Sequence, residues 1–290
     1  TFIGIDSVAD FSYTQEANAP CPFCANHCKR TIVRFSNGNS WVTNNRCERG
    51  EILGDPKDAS VRQQLADAKK SREQTPNLFK LRQELLFKDY PYPKAAKERD
   101  ITIGLPRVLS YWETMPFWTT FWRALGFKIQ LSDLSTRKIY EDGLSAVTSD
   151  TVCFPAKLVH GHLRNLVKKD VDRIFMPSIT TVTSENTEST SESMCAIVKG
   201  YPIVIRNSDN PEKRWHIPFD APLFHWYKRE DRNRQLTGYM EKTFGISPAE
   251  TRQAIAAADD AEKQFHDEMH RAGKAVLDEV TANGSYAVVL

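Results

Sequence analysis

The sequence lacks any long apolar run, and it lacks a strong excess of charge of either sign. No stretch approaches the roughly 18–20 consecutive apolar residues of a membrane-spanning helix, and the first ten residues lack the basic start and apolar block of a secretory leader. The 39 Lys and Arg nearly balance the 37 Asp and Glu, which does not indicate a nucleic-acid-binding surface. We therefore predict a cytoplasmic protein without a membrane or nucleic-acid partner.

Several catalytic motifs are also missing. The chain has no GxxxxGK[ST] loop, no GxGxxG turn and no GxSxG elbow, which are the patterns of phosphate cradles, dinucleotide sites and serine hydrolases. Cysteine is scarce outside one region, since four of the six cysteines lie between residues 21 and 47. Disulfide frameworks suit short secreted chains, so this distribution favours a reducing compartment and a metal site.

What is present is a globular composition whose pattern changes along the chain. The 290 residues are 40% hydrophobic, which allows more than one core. We predict a cysteine-rich metal-binding module at 1–54, a helical linker at 55–98 and an α/β domain at 99–290. Because the chain starts with Thr1 and ends in an apolar run at 286–290, we expect a piece of a longer protein, with the α/β domain truncated at its C-terminal end.

The third segment alternates strand and helix patterns. Short apolar strands are predicted at 101–105, 127–131 and 171–176, with helical patterns between them, which indicates a doubly wound parallel sheet. The last helix is predicted to begin at Ser247, a capping residue followed by Pro, and to end before Gly284. An aromatic group between the first two strands is predicted to be core, namely Trp112, Phe117, Trp118, Phe121 and Trp122.

The strongest local signal is a cysteine cluster with the pattern C-x2-C-x3-C followed by a distant fourth cysteine. An alternating strand at 29–35, an Asn-Gly turn and a return strand at 41–43 predict a hairpin between the third and fourth cysteines. Such a hairpin brings distant cysteines to one ion or cluster. The predicted ligands are Cys21, Cys24, Cys28 and Cys47.

The cysteine pattern leaves the identity of the metal open between zinc and an iron–sulfur cluster. Thiolates suit both zinc and iron–sulfur clusters. Zinc ribbons usually show two C-x2-C knuckles, whereas a group of three cysteines plus one favours a 4Fe-4S cluster. Basic residues surround the cysteines and either offset the negative charge of a thiolate site or belong to an ordinary solvated surface: Lys29, Arg30, Arg46 and Arg49.

Three blocks of the sequence resemble the acyl-CoA dehydratase activase-related proteins, which are connected with the 2-hydroxyacyl-CoA dehydratases and their activators. The first block is CPFCANHCKRT at 21–31 with NRCERG at 45–50, and the second runs from IGLPRVL at 103–109 to PFW at 116–118. The third is CFPAKLVHGH at 153–162. Together they cover the chain from about residue 20 to about residue 205.

The resemblance implies a flavodoxin-like α/β fold and a role in ATP-driven electron transfer through 4Fe-4S clusters to an acyl-CoA thioester. It implies actin-like ATPase modules upstream in the same chain, or partner dehydratase subunits, as partners, and acyl-CoA as a candidate ligand. Where the family often has cysteine after the strand ending near Pro177, this chain has Ser178. That departure argues against a second cluster and against catalytic dehydration by this chain alone.

Four residues of the α/β domain are candidates for binding the cofactor or the acyl-CoA. Cys153 lies at a predicted helix start, where a thiolate is favoured, and the third block of the resemblance points to it. Lys157 and His160 share a helical face with Cys153, whereas His162 points elsewhere. Arg107 follows the first strand, at the edge of the sheet where α/β domains bind ligands. Cys195 is predicted to be a buried core residue.

Overall fold

The computed structural model describes residues 11–74, 76–182, 188, 193–226 and 228–284. The chain forms two compact units, Thr1–Asn77 and Leu78–Leu290. The apolar run at 286–290, predicted as a strand, lies outside the described residues. The division into segments 1–54, 55–98 and 99–290 remains a prediction.

The first unit is built on a small antiparallel sheet. Its strands β1 (Tyr13–Pro20), β2 (Lys29–Phe35) and β3 (Ser40–Thr43) lie in sequential order, with β2 in the middle. Strands β2 and β3 form the predicted hairpin, with β1 as a third strand, whereas metal binding by this hairpin remains a prediction. A 3₁₀ turn (Glu48–Glu51) and helix α1 (Ala59–Gln74) follow. Four consecutive residues of β2, Arg30 to Val33, are buried, and because side chains alternate between the faces, both faces of β2 carry buried residues.

The second unit contains a parallel sheet, as predicted from the alternation of strands and helices. Its four strands lie in the order β5-β4-β6-β8, and all three neighbouring pairs are parallel. A short parallel pair, β7-β9, follows directly after β6 and β8. The strands described in this unit are β4 (Arg99–Leu105), β5 (Phe127–Leu131), β6 (Arg173–Phe175), β7 (Ser178–Thr181), β8 (Phe219–Asp220) and β9 (Leu223–His225).

Proline explains why strands β6 and β8 are short and are followed by the separate pair β7 and β9. Pro177 separates β6 from β7, and Pro222 separates β8 from β9. Proline has no backbone N–H, so it removes a ladder bond in the middle of a sheet. The backbone pairing nevertheless continues across both breaks, because Met176 N–H donates to the carbonyl of Asp220 at 2.8 Å and Ser178 N–H donates to that of Pro222 at 2.8 Å.

The first strand of the sheet lies inside it, the second on one side and the third and fourth on the other. This reversal makes the sheet doubly wound, as predicted. No described helix combines the length and apolarity needed to cross a membrane. The helices described in the second unit are α2 (Leu78–Phe87), α3 (Tyr111–Ala124), α4 (Arg137–Leu144), α5 (Phe154–Val167), α6 (Ala196–Ser208), α7 (Pro211–Trp215), α8 (Arg229–Phe244) and α9 (Pro248–Asn283).

Helix α3 lies at the centre of the hydrophobic core and packs against α9 and α2. Phe117, Trp118, Phe121 and Trp122 are fully buried on it, which confirms the prediction that these aromatic residues are core. Trp112 is partly buried and packs at the edge of the same cluster. The rings meet mostly edge to face, an arrangement that adds to the free energy gained from burial alone.

Helix α9 has the ends that the sequence predicts. The Ser247 hydroxyl accepts a hydrogen bond from Glu250 N–H at 3.2 Å, and Gly284 ends the helix with a positive φ of 67°. The predicted apolar face is buried only along the first half of the helix, since its buried residues run from Thr251 to Phe265. The second half carries the apolar residues Met269, Val276 and Val280 with partial exposure.

Candidate functional site

The four cysteines of the first unit lie at one end of its sheet. β1 ends and β2 begins at the paired residues Pro20 and Lys29. The next residues outward are Cys21 and Cys28, and the N–H of Cys21 donates to the carbonyl of Cys28 at 2.9 Å. The turn between them contains Cys24. The backbone therefore places three cysteines in one tight turn next to the sheet end.

This turn has the compact form expected for closely spaced ligands. His27 N–H donates to the Cys24 carbonyl at 3.3 Å. His27 itself has a positive φ of 43°, which a residue with a side chain adopts at a cost of about 1–2 kcal/mol. The positive φ at His27 turns the backbone sharply, so that β2 begins two residues later.

Cys47 reaches the same end of the sheet from β3. Thr43, the last residue of β3, pairs with Thr31 near the start of β2. Cys47 follows and begins the 3₁₀ turn, with its carbonyl accepting hydrogen bonds from Gly50 N–H at 2.9 Å and from the Asn45 side chain at 3.1 Å. All four cysteines therefore lie within a few residues of one sheet end.

Arg30 joins the two cysteine-bearing segments. It is 4% exposed, and its Nη1 donates to the carbonyls of Gly50 at 2.6 Å and Ile52 at 2.7 Å. The guanidinium also lies 5.4 Å from the ring centre of Phe23, which sits between Cys21 and Cys24. One buried side chain thus contacts both the turn before β2 and the turn after β3.

In its chemistry, a set of four thiols suits a thiolate-bound metal. All four thiols are free, with Cys21 buried and the other three half-buried. Arg30 Nε is buried without a hydrogen-bond partner, and a thiolate or sulfide is an acceptor that would satisfy such a donor. Within the described residues, three or more His, Cys, Asp or Glu side chains are nowhere grouped as a metal ion would require. Metal binding by these cysteines therefore remains a prediction.

The second candidate region lies at the carboxyl edge of the parallel sheet. Arg107 follows β4 there, and its backbone N–H donates to the Ser132 hydroxyl at 2.8 Å while its Nη1 donates to the Ser132 carbonyl at 2.7 Å. Its guanidinium lies 4.5 Å from the ring centre of Phe87, and burial lowers its pKa, against the opposing charge of Asp133. Arg107 is therefore held in place by the loop after β5.

His162 on α5 completes this arrangement. It is fully buried, and its ring nitrogens lie 2.7 Å from the Ser132 hydroxyl and 2.9 Å from the Ser135 hydroxyl. Burial, together with the nearby charge of Arg107, lowers the pKa of His162 to about 4. The imidazole is thus neutral near pH 7 and ties α5 to the loop after β5. As predicted, it faces away from His160.

Cys153 and Lys157 occupy the accessible first turn of α5. Cys153 is exposed and caps the helix, with its carbonyl accepting from Ala156 N–H at 3.1 Å. Lys157 Nζ donates to the Asp150 carbonyl at 2.8 Å. Phe154, which lies between them, is exposed and packs against the ring of Tyr140 at 5.1 Å. A ligand at this turn would meet a thiol, an ammonium group and an aromatic surface.

His160 lies deeper on the same helix and is fully buried. Its Nδ1 is 2.8 Å from Asp209 Oδ2, and its Nε2 is 3.1 Å from the Tyr201 hydroxyl. Asp209 is also fully buried and pairs with Arg164 at 3.0 Å and Arg214 at 2.9 Å. Burial alone would raise the pKa of Asp209, but His160 and the two arginines outweigh it, so the pKa is lowered.

These hydrogen bonds hold His160 in the interior, away from the solvent-exposed first turn of α5. An ionised Asp209 accepts a hydrogen bond from His160 Nδ1, and the Tyr201 hydroxyl lies against the other ring nitrogen. Burial, and then the charges of Cys153 and Asp209, raise the pKa of Tyr201. The structure therefore brings Cys153 and Lys157 to one surface turn and places His160 behind them, between α5 and α6. Their predicted binding roles remain predictions.

The prediction that Cys195 is buried core is wrong. Cys195 is exposed because it caps α6 at the surface instead of lying within the apolar stretch that follows it. Hydrogen bonds from the backbone N–H groups of Val198 and Ile197 lower the pKa of its thiol. The apolar residues after it begin the helix, and this helix buries Tyr201, Pro202 and Ile205.

Sequence reasoning missed three residues that organise these regions. Asp209 and Tyr201 have no local motif, because their partner His160 lies more than 40 residues away in the chain. Arg30 was recognised only as one of several basic residues, because its burial depends on the turn after β3. The alternation of charged residues along β2 carried no signal that distinguished Arg30 from Arg34, which is half exposed.

A shallow depression of about 230 Å³ lies at the opposite end of the sheet, where β4 and β5 begin. Three of the four cations that line it are already paired, since Arg99 meets Glu250, Arg123 meets Asp89 and Lys128 meets Asp100. This depression is therefore a weaker candidate for anion binding than the carboxyl edge.

The fold and the placement of these residues define a class: a doubly wound α/β domain preceded by a small antiparallel sheet with four free cysteines at one end. Residues 102–290 match the family described as CoA enzyme activase uncharacterised domain. The chain belongs to this family, which confirms the predicted relation to acyl-CoA dehydratase activase-related proteins. No curated protein and no solved structure matches the chain significantly.

Proposed function

We propose that the chain is an iron–sulfur electron-transfer or scaffold segment of a CoA enzyme activase-like protein. Cys21, Cys24, Cys28 and Cys47 ligate one 4Fe-4S cluster in this proposal. The observation that carries it is the placement of four free thiols at one end of a small sheet, in a chain of this family. The bound cluster would supply a one-electron carrier whose potential is set by its surroundings.

The residues around the cysteines have distinct tasks in this proposal. The tight turn at His27 keeps Cys24 and Cys28 close in space, and the 3₁₀ turn presents Cys47 from the other side of β2. Cys21 is the most buried of the four and would lie furthest from water. Limited access of water protects an oxygen-sensitive centre and influences its potential.

The second unit would dock the partner that accepts the electron. Its strand order, with the first strand inside and the second on one side, is the order of flavodoxin-like domains, which bind ligands at the carboxyl edge. Cys153, Lys157 and Arg107 lie on or beside that edge and would contact an acyl-CoA or the partner surface. His160 would act from behind, by fixing α5 against α6. The partners would be upstream ATPase modules of the same chain or dehydratase subunits.

Anaerobic purification of the full chain tests the cluster. We expect a brown protein that contains iron and acid-labile sulfide in equal amounts. The variants Cys21→Ser and Cys47→Ser should lose most of the iron, whereas the matched control Cys195→Ser should retain it. A colourless anaerobic protein with one zinc per chain would contradict the iron–sulfur proposal and favour the alternative, a structural zinc module without a redox role.

Calorimetric titration with acetyl-CoA tests ligand binding at the carboxyl edge. We expect Lys157→Ala to weaken binding, because an ammonium group near a helix N-terminus is a suitable partner for phosphate. Lys138→Ala, on the exposed face of α4, is the matched control and should bind as the wild type does. Equal affinity for both variants would remove Lys157 from the site.

A further inference from the structure

Arg30 carries a positive charge that the described part of the molecule does not balance. It is 4% exposed, yet none of the ion pairs among the described residues involves it. Its partners are neutral, namely the carbonyls of Gly50 and Ile52 and the ring of Phe23. A buried charge without a counter-charge is strongly destabilising, so a missing anion is the simplest physical explanation.

The Nε donor of this guanidinium also lacks a partner. Arg30 Nε is buried and has no hydrogen-bond partner. Buried donors in folded proteins are nearly always satisfied, and each exception asks for an acceptor that has not been accounted for. A centre held by four thiolates carries net negative charge, and its sulfur atoms accept hydrogen bonds. The anion and the acceptor can therefore be one group.

The contacts of Arg30 also indicate where such a centre would lie. Arg30 is two residues beyond Cys28 in the chain, and it contacts Phe23 in the turn that carries Cys21 and Cys24. Through Gly50 and Ile52 it holds the turn that begins at Cys47. Among the other basic residues near the cysteines none is buried, because Lys29 and Arg46 are exposed and Arg49 is half exposed.

We infer that Arg30 is the positioning residue and counter-cation of the four-cysteine centre: it holds the Cys47 turn against the Cys21–Cys28 turn and balances the negative charge of the thiolates. This inference rests on the proposed function. The flat guanidinium suits both tasks, because it can donate to two carbonyls and still present a further N–H to sulfur.

Substitution of Arg30 in the full chain, loaded anaerobically with iron and sulfide, tests this inference. In Arg30→Met we expect iron to be lost to a chelator roughly 10–100-fold faster than in the wild type, the usual scale for residues that support metal ligands. We also expect a more negative midpoint potential, since loss of a nearby positive charge disfavours the reduced cluster. A residue that merely stabilised the fold would leave the potential unchanged.

Two further variants keep the test decisive if Arg30→Met folds poorly. Arg30→Lys keeps the charge but loses the planar fork, so its potential should stay near that of the wild type while its iron is lost faster. Arg34→Met, four residues along the same strand at an exposed ion pair with Glu16, should match the wild type in both measurements.

The outcomes separate this inference from the proposed function. A wild-type chain that takes up neither iron nor zinc overturns both. A wild-type chain that holds metal, with Arg30→Met equal to it in metal retention and potential, overturns the role of Arg30 alone. If the wild type holds zinc instead of a cluster, the chelator measurement decides by itself, and faster zinc loss from Arg30→Met than from Arg34→Met supports the inference.

Discussion

At the scale of single residues, Asp209 shows how much one buried carboxylate can organise. It binds His160 and Arg164 on α5 and Arg214 on α7, while it ends α6 itself. Three helices of the second unit therefore share one negative charge. Neutralising that charge would leave two arginines and an imidazole without their common partner.

Asp209→Asn should lower the free energy of unfolding by about 3–5 kcal/mol, the usual cost of breaking a buried ion pair by removing one partner. Urea unfolding followed by circular dichroism measures this. The control is Asp142→Asn, whose carboxylate pairs with Lys168 and Lys138 at the surface and which should change stability by about 1 kcal/mol or less. Equal effects of the two substitutions would contradict the importance of burial at Asp209.

The buried imidazole of His162 should make the free energy of unfolding depend on pH. Its pKa falls from 6.5 to about 4 on folding because the ring is buried, with a contribution from Arg107. Between these two pH values the unfolded chain binds more protons than the folded chain. The contribution of His162 to the free energy of unfolding is therefore complete above pH 6.5 and is lost as the pH falls towards 4. The steepest slope from one such group is roughly 1.4 kcal/mol per pH unit.

The variant His162→Gln should show a shallower fall of stability across this range than the wild type, measured by urea unfolding at a series of pH values. His270→Gln is the control, because His270 is exposed on α9. An unchanged pH profile in His162→Gln would mean that the imidazole is not kept neutral by its site.

At the scale of elements, the crossing of α4 and α5 depends on two glycines. A Cβ on Gly161 would lie 1.8 Å from the carbonyl oxygen of Ile139, and one on Gly143 would lie 2.3 Å from the backbone nitrogen of Gly161. The two backbones therefore approach more closely than any side chain allows. This close approach also sets the position of the first turn of α5, which carries Cys153 and Lys157.

Gly161→Ala should destabilise the second unit by roughly 1–3 kcal/mol or more, since the obstructing atoms are backbone and cannot move aside easily. Gly200→Ala is the matched control on α6, because beyond the adjacent residues and the nearby backbone of its own helix no atom lies within 4 Å of the new methyl group. It should stabilise by about 0.5–1 kcal/mol, as alanine is the better helix former. Thermal unfolding measures both, and effects of the same sign would contradict the proposed close contact.

At the scale of the whole molecule, the two units differ in the size of the hydrophobic core that stabilises each of them. The second unit has an extensive aromatic and aliphatic core. The described core of the first unit is a cluster of Ala19, Ile32 and Val42 with Leu53 packed against it. A core of that size contributes little stability, and small modules of this kind usually depend on metals or disulfides.

Removal of the metal from the loaded chain should therefore weaken the first unit alone. We expect amide hydrogen exchange in β2 to become faster after anaerobic treatment with a chelator, because the free energy of metal binding is also folding free energy in such modules. Amides of β4 in the same sample serve as the internal control and should not change. Unchanged exchange in β2 would indicate that the first unit folds without metal.

Much of the fold follows from the sequence because its signals are local. The period of apolar residues predicted β5 and the neighbouring helices, and the capping residues Ser247 and Gly284 predicted both ends of α9. The alternating residues of β2 and the Asn-Gly turn that follows predicted the hairpin between the third and fourth cysteines. Each of these patterns spans only a few turns or strands, so the sequence suffices.

What the sequence by itself determined is the order and type of the elements, the aromatic core and the positions of the cysteines along the chain. Only the tertiary structure decided that Arg30 is buried beside them, that Asp209 joins three helices and that Cys195 is exposed. The physical reason is the separation along the chain between the residues that interact. Periodicity and capping arise between neighbours in the chain, whereas burial and charge pairing depend on residues that folding brings together from distant segments.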